Sequence, residues 1–162
     1  MANNPIRATR RIRILIADDH LPFAERCRGI LEPECEVVGV LADGYKLAQS
    51  VAALKPDVVV IDMSMPELNG FDAGEQVKAT KPDAKTIYMT LASGLDEAQE
   101  AFQRGASAFV IKRGFPEELR IAVRRAMRGE LHLSFSLLEK GQASERSYYL
   151  LPGRRERQRA LA

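Results

Sequence analysis

Five polar residues in this sequence stand where an apolar run stops. Asp18 and Asp19 follow Ile12–Ala17, Asp62 follows Val58–Ile61, Thr90 ends Lys85–Thr90, and Lys112 follows Ala108–Ile111. Four β-branched residues in a row, as in Val58–Ile61, read as a strand buried on both faces. A carboxylate at the tip of such a strand is costly unless something there needs it. Met63-Ser64-Met65-Pro66 and Asn69-Gly70 are turn chemistry, so Asp62 sits where a buried strand surfaces into a loop. Three carboxylates held close together repel and raise one another's pKa. A divalent cation relieves that conflict, and an all-oxygen set without His or Cys suits Mg²⁺. A carboxylate beside such a cation and opposite a lysine is equipped to attack phosphorus and hold an acyl phosphate. The metal and Lys112 would neutralise the transferring phosphoryl oxygens, and Thr90 could donate a hydrogen bond. So sparse a site suffices for phosphoryl transfer, which needs mainly positioning and charge stabilisation.

Each residue alone has an ordinary alternative. Asp18 or Asp19 could cap the helix that begins near Leu21. Thr90 could be a plain strand-end threonine, Lys112 a solvated lysine, and His20 a loop or first-turn residue. Convergence is what argues for chemistry, and it depends on the elements that carry these residues. Ile12–Ala17 reads as a first strand, and Leu21, Phe23, Ala24, Cys27, Ile30 and Leu31 recur at helical spacing up to Pro33. Val37–Leu41 is a second strand. Asp43 can cap a helix whose apolar face is Leu47, Ala48, Val51 and Leu54, stopped at Lys55-Pro56. Val58–Ile61 is followed by a helix over about 70–80, and Lys85–Thr90 by a helix from Leu95 to Arg104. Ala108–Ile111 is followed by a helix from about Pro116 to Gly129.

Five uninterrupted strand–helix units predict an α/β fold, a doubly wound five-stranded parallel sheet with helices on both faces. Right-handed crossovers leave few strand orders, of which the flavodoxin-like 2-1-3-4-5 is the common one. That order puts strands one and three side by side, roughly 4.8 Å apart, with the ligand crevice at their carboxyl ends. Asp18, Asp19 and Asp62 stand at those ends.

The remaining features set bounds. The chain has 162 residues, 46% hydrophobic and 28% charged, enough for one domain with an appendage. No apolar run approaches the roughly 18 residues of a membrane span, and the N-terminus lacks the apolar segment of a signal peptide. Two cysteines without metal-ligand spacing read as reduced thiols of a cytoplasmic protein. Formal net charge is +2, but residues 146–162 carry five arginines against Glu156 alone, so the basic character lies in the tail.

The residues so far assembled resemble the receiver domain of two-component response regulators. The matching elements are Asp18-Asp19, then Asp62-Met63-Ser64-Met65-Pro66 with Asn69-Gly70, then Thr90, Phe109 and Lys112. Ile16-Ala17-Asp18-Asp19-His20 and the stretch from Pro116 to Gly129 are similar to the NarL/FixJ (LuxR-type) subfamily. The resemblance implies that Asp62 accepts a phosphoryl group from a sensor histidine kinase or a phosphotransfer protein. It implies Asp19, Asp62 and the backbone carbonyl of Ser64 as ligands of Mg²⁺ (or Mn²⁺), with Asp18 helping through water. Lys112 would pair with the phosphoryl group. Thr90 and Phe109 would be the switch pair, the hydroxyl moving to the phosphate and the ring following inward. Residues 95–129 would be the output face, for a homodimer or a downstream protein.

Two positions depart from the family pattern. The residue after the switch threonine is usually small but is Leu91 here, and it is expected to crowd the phosphoryl pocket and slow the arrival of water or small phosphodonors. Arg113 stands where many receivers have proline.

The expected division is a receiver domain over 10–130 and a linker with a basic tail over 131–162, helical or disordered. Phe135 to Lys140 could form a short helix. Leu151-Pro152-Gly153-Arg154-Arg155-Glu156-Arg157 resembles the start of a LuxR-type helix-turn-helix domain, but a recognition helix and its supports need more residues than follow. DNA binding is therefore not expected of this chain alone, and signalling by protein contact is. The alternative is a LuxR-type transcription regulator whose output domain is truncated here. An aspartate-nucleophile phosphatase is a weaker third reading, because such enzymes want a second Asp where Ser64 stands. Turnover is not expected, only self-assisted phosphorylation and dephosphorylation.

Overall fold

The structure, a computed structural model, describes residues 10–91, 94–113 and 117–139. Strand and helix alternate along it: β1 (Ile12–Ala17), α1 (Leu21–Leu31), β2 (Cys35–Leu41), α2 (Leu47–Leu54), β3 (Val58–Asp62) and α3 (Gly70–Thr80). They continue as β4 (Lys85–Thr90), α4 (Leu95–Gln103), β5 (Ala108–Ile111), α5 (Glu118–Met127), β6 (His132–Leu133) and α6 (Phe135–Glu139). The strands form one parallel sheet in the order β2-β1-β3-β4-β5-β6. The flavodoxin-like order is as expected, but the sheet has six strands rather than five. The sixth lies in the stretch whose sequence reads as linker, because its two residues are too few to show a period. It exists because β5 offers it a ladder, in which the His132 amide donates to the Ser107 carbonyl (3.0 Å) and the Ser134 amide to the Phe109 carbonyl (2.9 Å).

Side chains along a parallel strand alternate between faces, and the two cores follow that alternation. Ile14, Ile16, Val58, Val60, Ile87, Met89, Ala108 and Val110 pack with Ala24, Cys27 and Leu31 of α1 and Leu119, Ala122 and Val123 of α5. Leu15, Ala17, Val59, Ile61, Tyr88 and Phe109 pack on the other face with residues of α2, α3 and α4. Every residue of β3 is buried, as a central strand covered on both faces requires.

Local chemistry sets the helix ends. Asn69 caps α3, its side chain accepting from the Asp72 amide at 3.0 Å. Lys55 ends α2 in a left-handed conformation (φ 49°) immediately before Pro56, which disfavours a helical residue ahead of it. Asp43 does not cap α2. Its Oδ1 accepts from the Tyr45 and Lys46 amides at 3.1 and 3.3 Å in the turn before the helix, and Lys46 occupies the capping position. Cys27 and Cys35 are free and buried. Among the described residues no helix is long and apolar enough to cross a membrane. Pro116, Lys140 and the basic tail lie outside the described residues.

Candidate functional site

The pleat explains which side chains meet at the carboxyl edge of the sheet. β1 and β3 pair in register from Ile14↔Val58 to Ala17↔Ile61, which brings Asp18 and Asp62 side by side at the next step. Continued by one residue, the alternation that points Ile16, Val60 and Val110 at α1 and α5 points Asp18, Asp62 and Lys112 the same way. The side chains of these three are buried, and Asp19 is exposed. The Lys112 ammonium lies 2.7 Å from Asp18 Oδ2 and 3.4 Å from Asp62 Oδ1. It also sits over the Phe23 ring, 4.5 Å from the centroid, a cation–π contact supplied by α1.

Neither aspartate of the pair caps α1, whose capping residue is His20 without a side-chain bond. Asp18 Oδ1 instead accepts from the His20 amide at 2.9 Å, holding the β1–α1 turn. Asp62 Oδ1 accepts from the Ser64 amide at 3.1 Å. Burial pushes the Asp62 carboxyl above the usual aspartate range, and the neighbouring Asp18 adds to the rise; the Ser64 amide and Lys112 oppose it. Cys27, packed beneath this edge, is pushed up to about 12, chiefly by burial and next by Asp18, so it stays a thiol.

One oxygen from each of Asp18, Asp19 and Asp62 lies within 4.8 Å of the others. An all-carboxylate set this close fits a hard divalent cation that keeps several waters. The buried lysine already balancing two of the three carboxylates shows that the site is built around positive charge.

Thr90 and Phe109 belong to the opposite face by the same alternation. Thr90 is buried, and its carbonyl accepts from the Lys112 amide at 2.6 Å. The Phe109 ring is fully buried, already inside the core beneath β6. Leu91 is 55% exposed and lines a cavity of about 350 Å³ together with Phe23, Cys27, Met89, Lys112 and Arg113. Among the described residues that line that cavity Leu91 stands with Lys112, and none is a carboxylate. Arg113 is exposed.

Two features were not foreseen from the sequence. Phe23 shows only a helical apolar period, which does not say that its ring carries a lysine. The second is a buried polar cluster of Glu118, His132 and Ser134, 1%, 0% and 0% exposed. It joins α5 to β6 across more than a dozen residues of chain, and no local pattern signals it.

The family model of the response regulator receiver domain matches residues 14–124. Among curated proteins, the chain is 34% identical over 129 residues to the uncharacterized transcriptional regulatory protein YhcZ of Bacillus subtilis, covering 78% of this chain and 60% of that one. It is 31% identical over 129 residues to the oxygen regulatory protein NreC of Staphylococcus epidermidis, covering 78% and 59%. The chain thus spans about 60% of the length of these relatives. Among solved structures, a two-component response regulator of the LuxR family from Aurantimonas superposes with a TM-score of 0.75 at 29% identity, covering 80% of this chain and 94% of that one.

Proposed function

This chain belongs to the response regulator receiver domain family, in its NarL/LuxR branch, and from that premise we propose that Asp62 is the phosphoacceptor of a two-component signalling pathway. The observation that carries the proposal is the position of Asp62, at the end of a wholly buried strand and 3.4 Å from a buried lysine that Asp18 holds from the other side. Receiver domains are signalling domains rather than turnover enzymes, and a nucleophile with charge stabilisation beside it supports the reading of Asp62 as a phosphoacceptor.

In the proposed step an Asp62 carboxylate oxygen attacks the phosphorus of a phosphohistidine on a sensor kinase or phosphotransfer protein. The P–O bond to Asp62 forms as the P–N bond breaks, and the imidazole leaves. Lys112, now shared between Asp18 and Asp62, turns to a phosphoryl oxygen, a more highly charged partner. The Thr90 hydroxyl donates to another phosphoryl oxygen, and Phe109, packed on the same face, registers that movement in the core. Asp18, Asp19 and Asp62, with the Ser64 carbonyl, would hold a divalent cation. Bound Mg²⁺, or Mn²⁺ in its place, screens the charge between the carboxylates and the incoming phosphoryl oxygens. Water attack on the acyl phosphate later restores the carboxylate, and Leu91 limits how readily water arrives past Lys112.

Output by protein contact through residues 95–129 follows from this reading. A second reading, output through DNA, is favoured by the naming of YhcZ as a transcriptional regulatory protein. The arginines of residues 146–162 alone would give only salt-sensitive, sequence-indifferent contact.

Beryllofluoride, a stable mimic of the phosphoryl group, tests the site. In amide NMR spectra the expected result is a Mg²⁺-dependent shift of the Ser64, Thr90 and Lys112 signals, absent in Asp62→Asn. The same shifts in Asp62→Asn, or none in the wild type, would contradict the assignment.

A further inference from the structure

Lys112 can serve Asp62 only if the end of β5 is held still, and that end has an exposed flank. β6 is two residues long, so its ladder runs out before β5 does. The Lys112 amide is held from the β4 side by the Thr90 carbonyl at 2.6 Å. The preceding amide, that of Ile111, faces the β6 side, where among the described residues no further backbone carbonyl accepts from it. The Ser134 hydroxyl takes the place of that carbonyl, and Ile111 N–H donates to Ser134 Oγ at 3.2 Å.

Ser134 is in turn held by a network with no slack. Its hydroxyl donates to Glu118 Oε2 at 3.2 Å and lies 3.3 Å from Ser136 Oγ, so one donor and two lone pairs are all used. Glu118 Oε1 accepts from the Phe135 amide at 2.8 Å and meets His132 Nε2, also at 2.8 Å. Arginine can only donate, so the 3.4 Å contact of Arg125 Nη1 with His132 Nδ1 assigns that nitrogen as the acceptor and Nε2, facing Glu118, as the one that carries the proton. The Phe135 ring closes the cluster edge-on against His132, with centroids 5.1 Å apart. Polar groups so completely buried and satisfied fix one geometry, because any shift leaves a group without a partner.

We infer that Ser134, held by Glu118, is a positioning residue for Lys112, so that the segment beyond α5 is a working part of the phosphoryl site. The inference rests on the reading of Asp62 as phosphoacceptor. It goes beyond that reading by extending the site past residues 14–124, which the family model matches. The path is short: Glu118 fixes Ser134, Ser134 fixes the Ile111 amide, and the next residue carries the ammonium that faces Asp18 and Asp62. It also runs in reverse. Phosphorylation that draws Lys112 toward a phosphoryl oxygen pulls on Ile111, and thereby on β6 and α6.

The test compares wild type, Ser134→Ala and Ser134→Thr in the full chain, with acetyl phosphate and Mg²⁺. The first measurement is the rate of phosphoryl adduct formation at saturating phosphodonor. The second is amide hydrogen exchange in the absence of phosphodonor. The expected result is that Ser134→Ala, assayed well below its melting temperature, slows adduct formation at least about fivefold with the Mg²⁺ midpoint unchanged and the melting temperature lowered by the lost buried hydrogen bonds, and that Ser134→Thr restores the rate. Exchange is expected to rise at Ile111 and Lys112 while the Ser134 and Phe109 amides keep their protection. An unchanged rate in Ser134→Ala, or a rate that falls only with the folded fraction, would overturn the inference. So would exchange rising together over 107–111 and 131–138, which marks loss of packing alone. If the wild type forms no adduct, the reading of Asp62 fails, and the exchange pattern alone decides whether Ser134 positions the end of β5.

Discussion

Asp62 is held in the native state against its own charge. Burial and Asp18 raise its pKa more than Lys112 and the Ser64 amide lower it. A carboxyl whose folded pKa lies above its unfolded value binds its proton more tightly in the native state. Its contribution to stability therefore falls as pH climbs from the ordinary aspartate range through the raised folded value, and stays low above it. Asp62→Asn is accordingly expected to melt higher than wild type at neutral pH in the presence of a chelator. That advantage should fade as pH drops into the ordinary aspartate range, and shrink when Mg²⁺ is added, because only the wild type gains a full ligand set. Equal melting temperatures at neutral pH without metal would contradict this electrostatic account. Leu91 makes a separate prediction at the same scale. Leu91→Ala removes the bulk beside Lys112 and is expected to speed both phosphorylation by small donors and loss of the phosphoryl group. Unchanged rates of both would show that Leu91, half-exposed at the cavity, obstructs nothing. Asp62, Asp18 and Lys112 were legible in the sequence because each interrupts or ends an apolar run. The contact of Lys112 with Phe23 was not, since an inward phenylalanine of an amphipathic helix looks the same with or without a cation on its face.

At the scale of elements, strand–helix alternation was legible wherever an apolar run met a helical period, and β3, β4 and β5 begin where that reading put them. β6 was not, because two residues carry no period and their ladder depends wholly on β5. The Glu118–His132–Ser134 cluster is invisible for a related reason, as each residue is ordinary in its own segment and unusual only in company. Packing between α3 and β4 gives the clearest element-level prediction. Gly74 of α3 lies against the buried Tyr88 of β4, and a Cβ there would come 1.7 Å from the Tyr88 hydroxyl oxygen and 2.9 Å from Cζ. The tyrosine has little room to retreat; its burial already pushes the phenol up to about 12. Its ring is also engaged edge-on with Phe71, centroids 5.8 Å apart. Gly74→Ala is expected to lower unfolding free energy by about 1–3 kcal/mol in urea titration, and Gly74→Ala with Tyr88→Phe to recover part of the loss. Full stability in the single variant would mean that α3 and β4 separate more freely than their packing implies.

Across the whole molecule, the fold gathers Asp18, Asp62 and Lys112 at the carboxyl ends of β1, β3 and β5, and packs α4 on the face of Thr90 and Phe109 and α5 on the other face. The proposed function rests on a single residue. Everything proposed about output, whether by protein contact or through DNA, presupposes that Asp62 takes a phosphoryl group. The most direct measurement is intact-protein mass spectrometry, with peptide mapping, after incubation with acetyl phosphate or phosphoramidate. With Mg²⁺ present, the account predicts one phosphoryl group per chain, mapped to the peptide containing Asp62, lost on chelation before the donor is added and absent in Asp62→Asn. An adduct that persists in Asp62→Asn, or no adduct on the wild type with either donor, would contradict it.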